Sequence, residues 1–187
     1  MLGDTLGALH LGVAWAVGFV LIASGVAKAA DRTSFAQALA GYGVSARRGR
    51  ESLEIAIPSI EIALGISWLI TWDVWLVAIA TIGLLAVFSG AAIAGRGSAA
   101  SCGCGGVFAD GPAGWNVVIR NVVLLVIVLG GAMVAPTTGF SIDTFAAAAT
   151  VTLALLTLLI GLDALLVAEL RLRDVEGGVS LEHDVSS

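Results

Sequence analysis

Five apolar stretches, each long enough to cross a membrane as a helix, constrain this chain more than any other feature of its sequence. A helix that spans the hydrocarbon core of a bilayer needs about 20 predominantly apolar residues, because it must satisfy its own backbone hydrogen bonds there. The predicted spans cover residues 10–29, 52–70, 74–94, 115–134 and 144–168. We therefore expect an all-α integral membrane domain over residues 1–170 and a polar, loosely ordered tail over residues 171–187.

The composition agrees with lipid surroundings and excludes other classes. Hydrophobic residues make up 58% of the chain and charged residues only 12%, against about 25% charged in soluble domains. The net charge of −5 opposes binding to nucleic acid, which needs a basic surface. His10 and His183 are the only histidines and lie far apart, so a histidine-rich metal site is not supported. The segment before the first span lacks Lys and Arg, which favours a retained helix over a signal peptide.

The basic residues all fall at or near one predicted membrane face. They are Lys28, Arg32, Arg47, Arg48, Arg50, Arg96, Arg120, Arg171 and Arg173. The opposite face carries acidic residues instead, namely Asp4, Asp73 and Asp143. Cytoplasmic loops are enriched in Lys and Arg. The pattern therefore predicts a multi-pass protein of a bacterial-type plasma membrane, with the N-terminus outside and the C-terminus in the cytoplasm.

Charged side chains inside spans are costly and indicate function by default. Glu61 lies near the middle of the second span, and Glu54 lies two turns earlier on the same side of the helix. Arg120, in the fourth span, is expected to pair with Glu54 or to reach toward Glu61. Alternatively, Arg120 and Glu54 form a purely structural salt bridge and Arg120 extends to the interface. For Glu61, deeper in its span, we expect a functional role or a specific packing role.

The first long connection, residues 30–51, begins with a segment of helical pattern. Phe35, Leu39 and Tyr42 are spaced as on one face of a helix. Two interpretations are open: an amphipathic helix that lies on the membrane surface, or a loop that is partly helical.

The second long connection, residues 95–114, contains both cysteines of the chain, Cys102 and Cys104, with Gly103 between them. A disulfide across one residue is strained, because disulfide geometry favours Cα atoms about 5.5 Å apart. The surrounding glycines relax the backbone, since glycine tolerates positive φ angles. Strained disulfides are readily reduced and tend to be catalytic or regulatory. The spacing therefore favours a redox pair.

Two other interpretations of Cys102 and Cys104 remain open. Zinc prefers four ligands, so two thiolates suit a soft two-coordinate ion such as Cu(I) better. The chain would then be a protein that binds or transports a soft metal. Small buried cysteines also fill tight turns, which would fit a non-catalytic membrane assembly factor. No cofactor is evident, and no residue pattern supports a quinone, although a membrane redox protein is compatible with one.

Four short segments together resemble one family. They are "SFAQALAGYGV", "PSIEIALG", "SCGCGG" and "GWNVVIRNVVLL". Over about residues 10–135 the chain resembles the MauE family of DoxX-like membrane proteins, which is named for methylamine utilisation. The family usually has Phe after its second cysteine, where this chain has Gly105, with Phe108 three residues later. The matching positions are Tyr42, Pro58, Glu61, Gly65, Cys102, Cys104, Trp115, Arg120 and Asn121.

The resemblance implies a fold and a function. The fold would be a four-helix bundle like that of vitamin K epoxide reductase-like enzymes, here with a fifth transmembrane helix. The function would be thiol–disulfide exchange by Cys102 and Cys104 with a thioredoxin-like partner on the outer side, during maturation of a disulfide-rich dehydrogenase subunit. We assign Arg120 to stabilising a thiolate, and Glu61 to relaying a proton or ordering the bundle. The charge rule predicts the opposite side of the membrane for the cysteine loop.

Overall fold

The structure, a computed structural model, is all-helical over the residues it describes, which are 2–41, 44, 46–70, 74–94, 115–133 and 142–185. The helices are α1 (Leu2–Ala30), α2 (Arg32–Gly41), α3 (Arg47–Ile70), α4 (Val74–Ala94), α5 (Trp115–Met133) and α6 (Ile142–Val185). The bounds of α4 coincide with the predicted third span, and α5 begins where the fourth span was predicted to begin.

Four of these helices are long and apolar enough to cross a membrane. The qualifying segments are Asp4–Ala30, Arg47–Ile70, Trp75–Ala94 and Ile142–Leu162. Helix α5 contributes a shorter apolar segment, Val118–Met133. Large apolar side chains on the outer faces of the helices, such as Leu76 and Leu165, stay exposed, as expected for surfaces in contact with lipid. The chain is an all-α, multi-pass membrane protein.

Helix α1 lies at the centre of the bundle and contacts α2, α3, α5 and α6. Its side chains Val17 and Leu21 form the core together with Trp68 of α3 and Val128 of α5. Polar side chains inside the core are hydrogen-bonded, as a low-dielectric interior requires. Trp68, for example, donates from Nε1 to the hydroxyl of Thr81 on α4 at 2.9 Å.

Glycines allow α1 and α3 to approach at backbone distance. A Cβ atom on Gly65 would lie 2.7 Å from the carbonyl oxygen of Gly18, and one on Gly18 would lie 2.9 Å from that of Gly65. Such close approach through small residues is a common way for membrane helices to associate, since lipid supplies no hydrophobic drive between them. This close approach holds α3 alongside α1.

Helix α2 packs against the bundle. Its N-terminus is capped by Asp31, whose Oδ1 accepts a hydrogen bond from the backbone N–H of Ser34 at 3.1 Å. Phe35 and Leu39 are buried, and α2 contacts α3 and α1. The helical pattern of this segment is therefore confirmed, with Phe35 and Leu39 covered by protein, and a position at the membrane surface stays a prediction.

The tail also differs from the expectation. Residues 171–185 continue α6 without a break instead of forming a loosely ordered segment. The sequence from 142 to 185 contains no proline, and extending an existing helix is easier than nucleating a new one. The polar composition of the tail therefore did not end the helix.

Candidate functional site

A fully buried ion pair joins α1 to α3. Lys28 Nζ lies 2.8 Å from Oε1 and 2.9 Å from Oε2 of Glu61, and the two side chains are only 1% and 2% exposed. Ser24 completes the arrangement: Lys28 donates to its hydroxyl at 2.6 Å, and that hydroxyl donates to Glu61 Oε1 at 3.2 Å. A buried charge is tolerated when it is paired and fully hydrogen-bonded, and here both conditions are met.

The local sequence explains how this pair forms. Ser24 and Lys28 are four residues apart and so share one face of α1. Gly25 lies between them and lets α3 approach: a Cβ atom there would lie 2.9 Å from the carbonyl oxygen of Pro58 and 3.2 Å from Cβ of Glu61. Pro58 is buried at this contact, one turn before Glu61. The glycine thus brings the carboxylate within reach of a short salt bridge.

An aromatic ring from α4 covers the ammonium group. Lys28 Nζ lies 5.2 Å from the ring centroid of Phe88, which is a cation–π distance. The ring is itself buried, so water does not reach the ammonium from this side. We call Ser24, Lys28, Glu61 and Phe88 the Lys28–Glu61 cluster. It links α1, α3 and α4 at a single point.

A second polar contact joins α4 to α5 beside this cluster. Asn121 is buried, and its Nδ2 donates to the hydroxyl of Ser89 at 3.1 Å, with the carbonyl oxygen of Leu85 at 3.5 Å. Ser89 directly follows Phe88 and donates to the Leu85 carbonyl at 2.8 Å. The contact therefore fixes the two helices that flank the connection over residues 95–114.

Arg120 and Glu54, the two other charged residues that the sequence analysis assigned to the site, have different surroundings. Arg120 is half-buried on α5, and its expected approach to Glu61 stays a prediction. Glu54 forms an ion pair within its own helix, with 3.6 Å between its Oε1 and Arg50 Nε. The close partner of Glu61 is Lys28, which the sequence interpretation did not assign to it.

Comparison with models of protein families identifies one family. The family model described as methylamine utilisation protein MauE matches residues 6–135. The chain belongs to the MauE family. The match covers most of α1 and all of α2 to α5, with the connection that holds the cysteines, and it ends before α6. Comparison with curated proteins and with solved structures finds no match. Family membership implies a membrane protein of methylamine utilisation, and it confirms the resemblance drawn from the four short segments.

Other predicted site residues of this MauE-family protein have the following positions. Trp115 is the first residue of α5. Tyr42, Cys102, Cys104 and Gly105 lie outside the described residues, so their assigned roles stay predictions. Within the residues that the structure describes, no group of three or more His, Cys, Asp or Glu side chains is arranged to hold a metal ion.

Sequence reasoning missed the contribution of Lys28 and Ser24 to the site. Lys28 stands near the end of α1, where a lysine usually extends to the membrane interface. The available signal was the four-residue spacing of a hydroxyl and an ammonium at the end of a span, together with an intramembrane carboxylate that needed a partner. Of the MauE-matching positions, Pro58, Glu61 and Asn121 lie in or beside the cluster.

Proposed function

We propose that this MauE-family protein is a membrane thiol–disulfide redox protein in which Cys102 and Cys104 cycle between a dithiol and a disulfide. The observation that carries the proposal is the buried polar contact beside the cysteine loop. Ser89 lies five residues before Ala94, the end of α4, and Asn121 lies six residues after the start of α5. At ~1.5 Å per residue, both ends of the loop begin within about 10 Å of this contact along the helix axes.

The chemistry needs only the two cysteines and a partner disulfide. A thiolate of the pair attacks one sulfur of a disulfide in a thioredoxin-like protein, which forms a mixed disulfide and releases the partner's other sulfur as a thiolate. The second cysteine then attacks the mixed disulfide. Two electrons pass to the partner, which becomes a dithiol, and the two thiol protons of the pair are released or transferred to it. The reverse sequence reduces the pair, and no cofactor takes part in either direction.

The charged residues support this exchange. The guanidinium of Arg120, five residues into α5, stabilises a thiolate in the adjoining loop, since positive charge favours the ionised form of cysteine. Glu61 holds Lys28 in place and orders α1 against α3. The role would be MauE-like, in the maturation of a disulfide-containing protein of methylamine utilisation.

The proposed topology has five spans, with α5 as the fourth of them. Helices α1, α3, α4 and α5 then form the DoxX-like bundle, and α6 is added to it. The one-sided basic residues favour an N-terminus outside a bacterial-type plasma membrane and a cytoplasmic C-terminus. In this topology the cysteine loop lies on the cytoplasmic side, so the proposed thioredoxin-like partner would reach the loop from there.

Trapping the mixed disulfide tests the proposed function. In the Cys102→Ser variant the resolving step is blocked, so we expect a covalent adduct between Cys104 and a thioredoxin-like protein on a non-reducing gel of membranes. The adduct should disappear on reduction and in the double variant Cys102→Ser/Cys104→Ser. The reciprocal variant Cys104→Ser reports which cysteine attacks first.

Failure to trap an adduct with either single variant would contradict the exchange. Stoichiometric Cu(I) binding that is lost in Cys104→Ser would then support a soft-metal protein. Co-purification of a partner with the double-serine variant would support a non-catalytic assembly factor.

A further inference from the structure

The directions of the helices place the start of α3 at one end of the bundle and the starts of α1 and α6 at the other. Helix α3 runs antiparallel to α1, whereas α6 runs parallel to it. These directions follow from the contacts Gly18–Gly65 and Lys28–Glu61 for α1 with α3, and Gly7–Thr144 and Gly12–Val151 for α1 with α6.

The two ends of the bundle differ in charge. The end that holds the start of α3 exposes Arg32, Arg47 and Arg48. At the other end, the charged side chains that the structure describes, Asp4 and Asp143, are both acidic and exposed. Anionic phospholipid headgroups attract basic residues next to a span, so the start of α3 is the end of the bundle that suits them.

Arg48 stands above a lipid-facing stripe of α3. Within the part of the chain that the structure describes, it forms no ion pair, whereas Arg47 Nε donates to Glu51 Oε1 at 2.8 Å. Ile55 and Ile66 follow Arg48 by about two and five helical turns, share its face and are exposed. A cation above an exposed apolar stripe matches a phospholipid, whose charged phosphate lies above its acyl chains.

Arg50 has a hydrogen-bond donor without an acceptor. Its Nε is buried and is the one buried side-chain nitrogen or oxygen among the described residues that has no hydrogen-bond partner. The nearest carboxylate oxygen, Oε1 of Glu54, is 3.6 Å away, which is too long for a hydrogen bond. One third of the side chain stays exposed, so an acceptor from outside the chain can reach the guanidinium.

We propose that the start of α3 is a binding surface for anionic phospholipid headgroups, in which the guanidinium groups of Arg48 and Arg50 donate to phosphate oxygens. Guanidinium suits this ligand because its planar N–H donors match the oxygens of a phosphate. The surface is independent of the proposed thiol chemistry and uses none of its residues.

Lipid competition tests the proposal. The full-length protein is equilibrated in mixed micelles with equal amounts of phosphatidylglycerol and phosphatidylcholine of identical acyl chains, purified again, and its bound lipids are measured by mass. The wild type should retain more phosphatidylglycerol. Because each arginine near an anionic surface strengthens binding about fivefold, Arg48→Gln and Arg50→Gln should each lower the ratio of the two lipids by about that factor.

Two acidic residues provide a matched pair of variants. Glu51→Gln frees Arg47 from its ion pair at the start of α3, so the ratio should rise by up to about fivefold. Asp143→Asn changes the net charge by the same amount at the other end of the bundle and should leave the ratio unchanged. An equal rise in both variants would show an effect of net charge alone and would overturn the proposal.

Three further results would overturn it. The first is equal retention of the two lipids by the wild type. The second is an unchanged ratio in Arg48→Gln, which replaces an exposed side chain and therefore should fold even if Arg50→Gln does not. The third is displacement of phosphatidylglycerol by inorganic phosphate but not by chloride at the same ionic strength, which would indicate a site for the free ion.

Discussion

Glu61→Gln should destabilise the bundle by about 3–5 kcal/mol, because it leaves the buried ammonium of Lys28 without its counter-charge. The ammonium has no access to water, being 2.8 Å from the carboxylate and covered by the ring of Phe88. Gln keeps the volume of Glu but has one acceptor oxygen where Glu61 offers Lys28 two, so the loss measures the charge and one hydrogen bond rather than packing. The free energy of unfolding is measured by titration with SDS in mixed micelles and followed by tryptophan fluorescence.

Two further variants make this prediction specific. Lys28→Met/Glu61→Gln removes both charges with little change in volume and should recover most of the lost stability, since replacing a buried pair with neutral groups is often near neutral. Glu51→Gln removes the same charge from a pair of the same 2.8 Å length at the surface, and should leave the free energy of unfolding unchanged. Equal losses in Glu61→Gln and Glu51→Gln would contradict the importance of burial.

Gly65→Ala should destabilise the bundle by about 1–3 kcal/mol, the usual cost of overpacking a close contact. The added Cβ would lie 2.7 Å from the carbonyl oxygen of Gly18, and backbone cannot rotate away as a side chain can. Helices α1 and α3 must therefore separate. Since Glu61 lies one turn from Gly65 on the same helix, the salt bridge to Lys28 should lengthen as well. The SDS titration that measures the unfolding of Glu61→Gln also measures this loss.

Gly83→Ala is the matched control for this substitution. Gly83 is inside α4, and a Cβ atom there has no neighbour within 4 Å. Because alanine favours helix over glycine by about 1 kcal/mol, this variant should be as stable as the wild type or slightly more so. Equal destabilisation by Gly65→Ala and Gly83→Ala would show that the helix crossing does not depend on backbone contact.

The apolar stretches predicted the helices well because each span must be continuously apolar in lipid. Residues 74–94 matched α4, and the predicted second span at 52–70 lies within α3. The helix ends were less predictable where polar residues continue a helix beyond the apolar stretch, as at Arg47 and along α6 after residue 168. The length of an apolar stretch predicts the length of a span, whereas the residue at which a helix ends depends on local hydrogen bonds.

The sequence signal for the partner of Glu61 was weak for a geometric reason. Lys28 is 33 residues away, and their contact depends on how α1 and α3 cross at Gly18, Gly25 and Gly65. A single sequence does not show which of its glycines make the close contacts at a helix crossing. The apolar face of α2 posed a similar problem, because the same pattern of Phe35 and Leu39 suits either a lipid surface or a neighbouring helix.

The central claim is that Cys102 and Cys104 form a reversible disulfide. A redox titration of the purified protein in glutathione buffers, quenched by alkylation and measured by mass, tests it most directly. We predict one two-electron transition between a form that takes up two labels and a form that takes up none. Its midpoint should lie above about −300 mV, the range of labile disulfides. Two labels at every potential in the physiological range would contradict the claim.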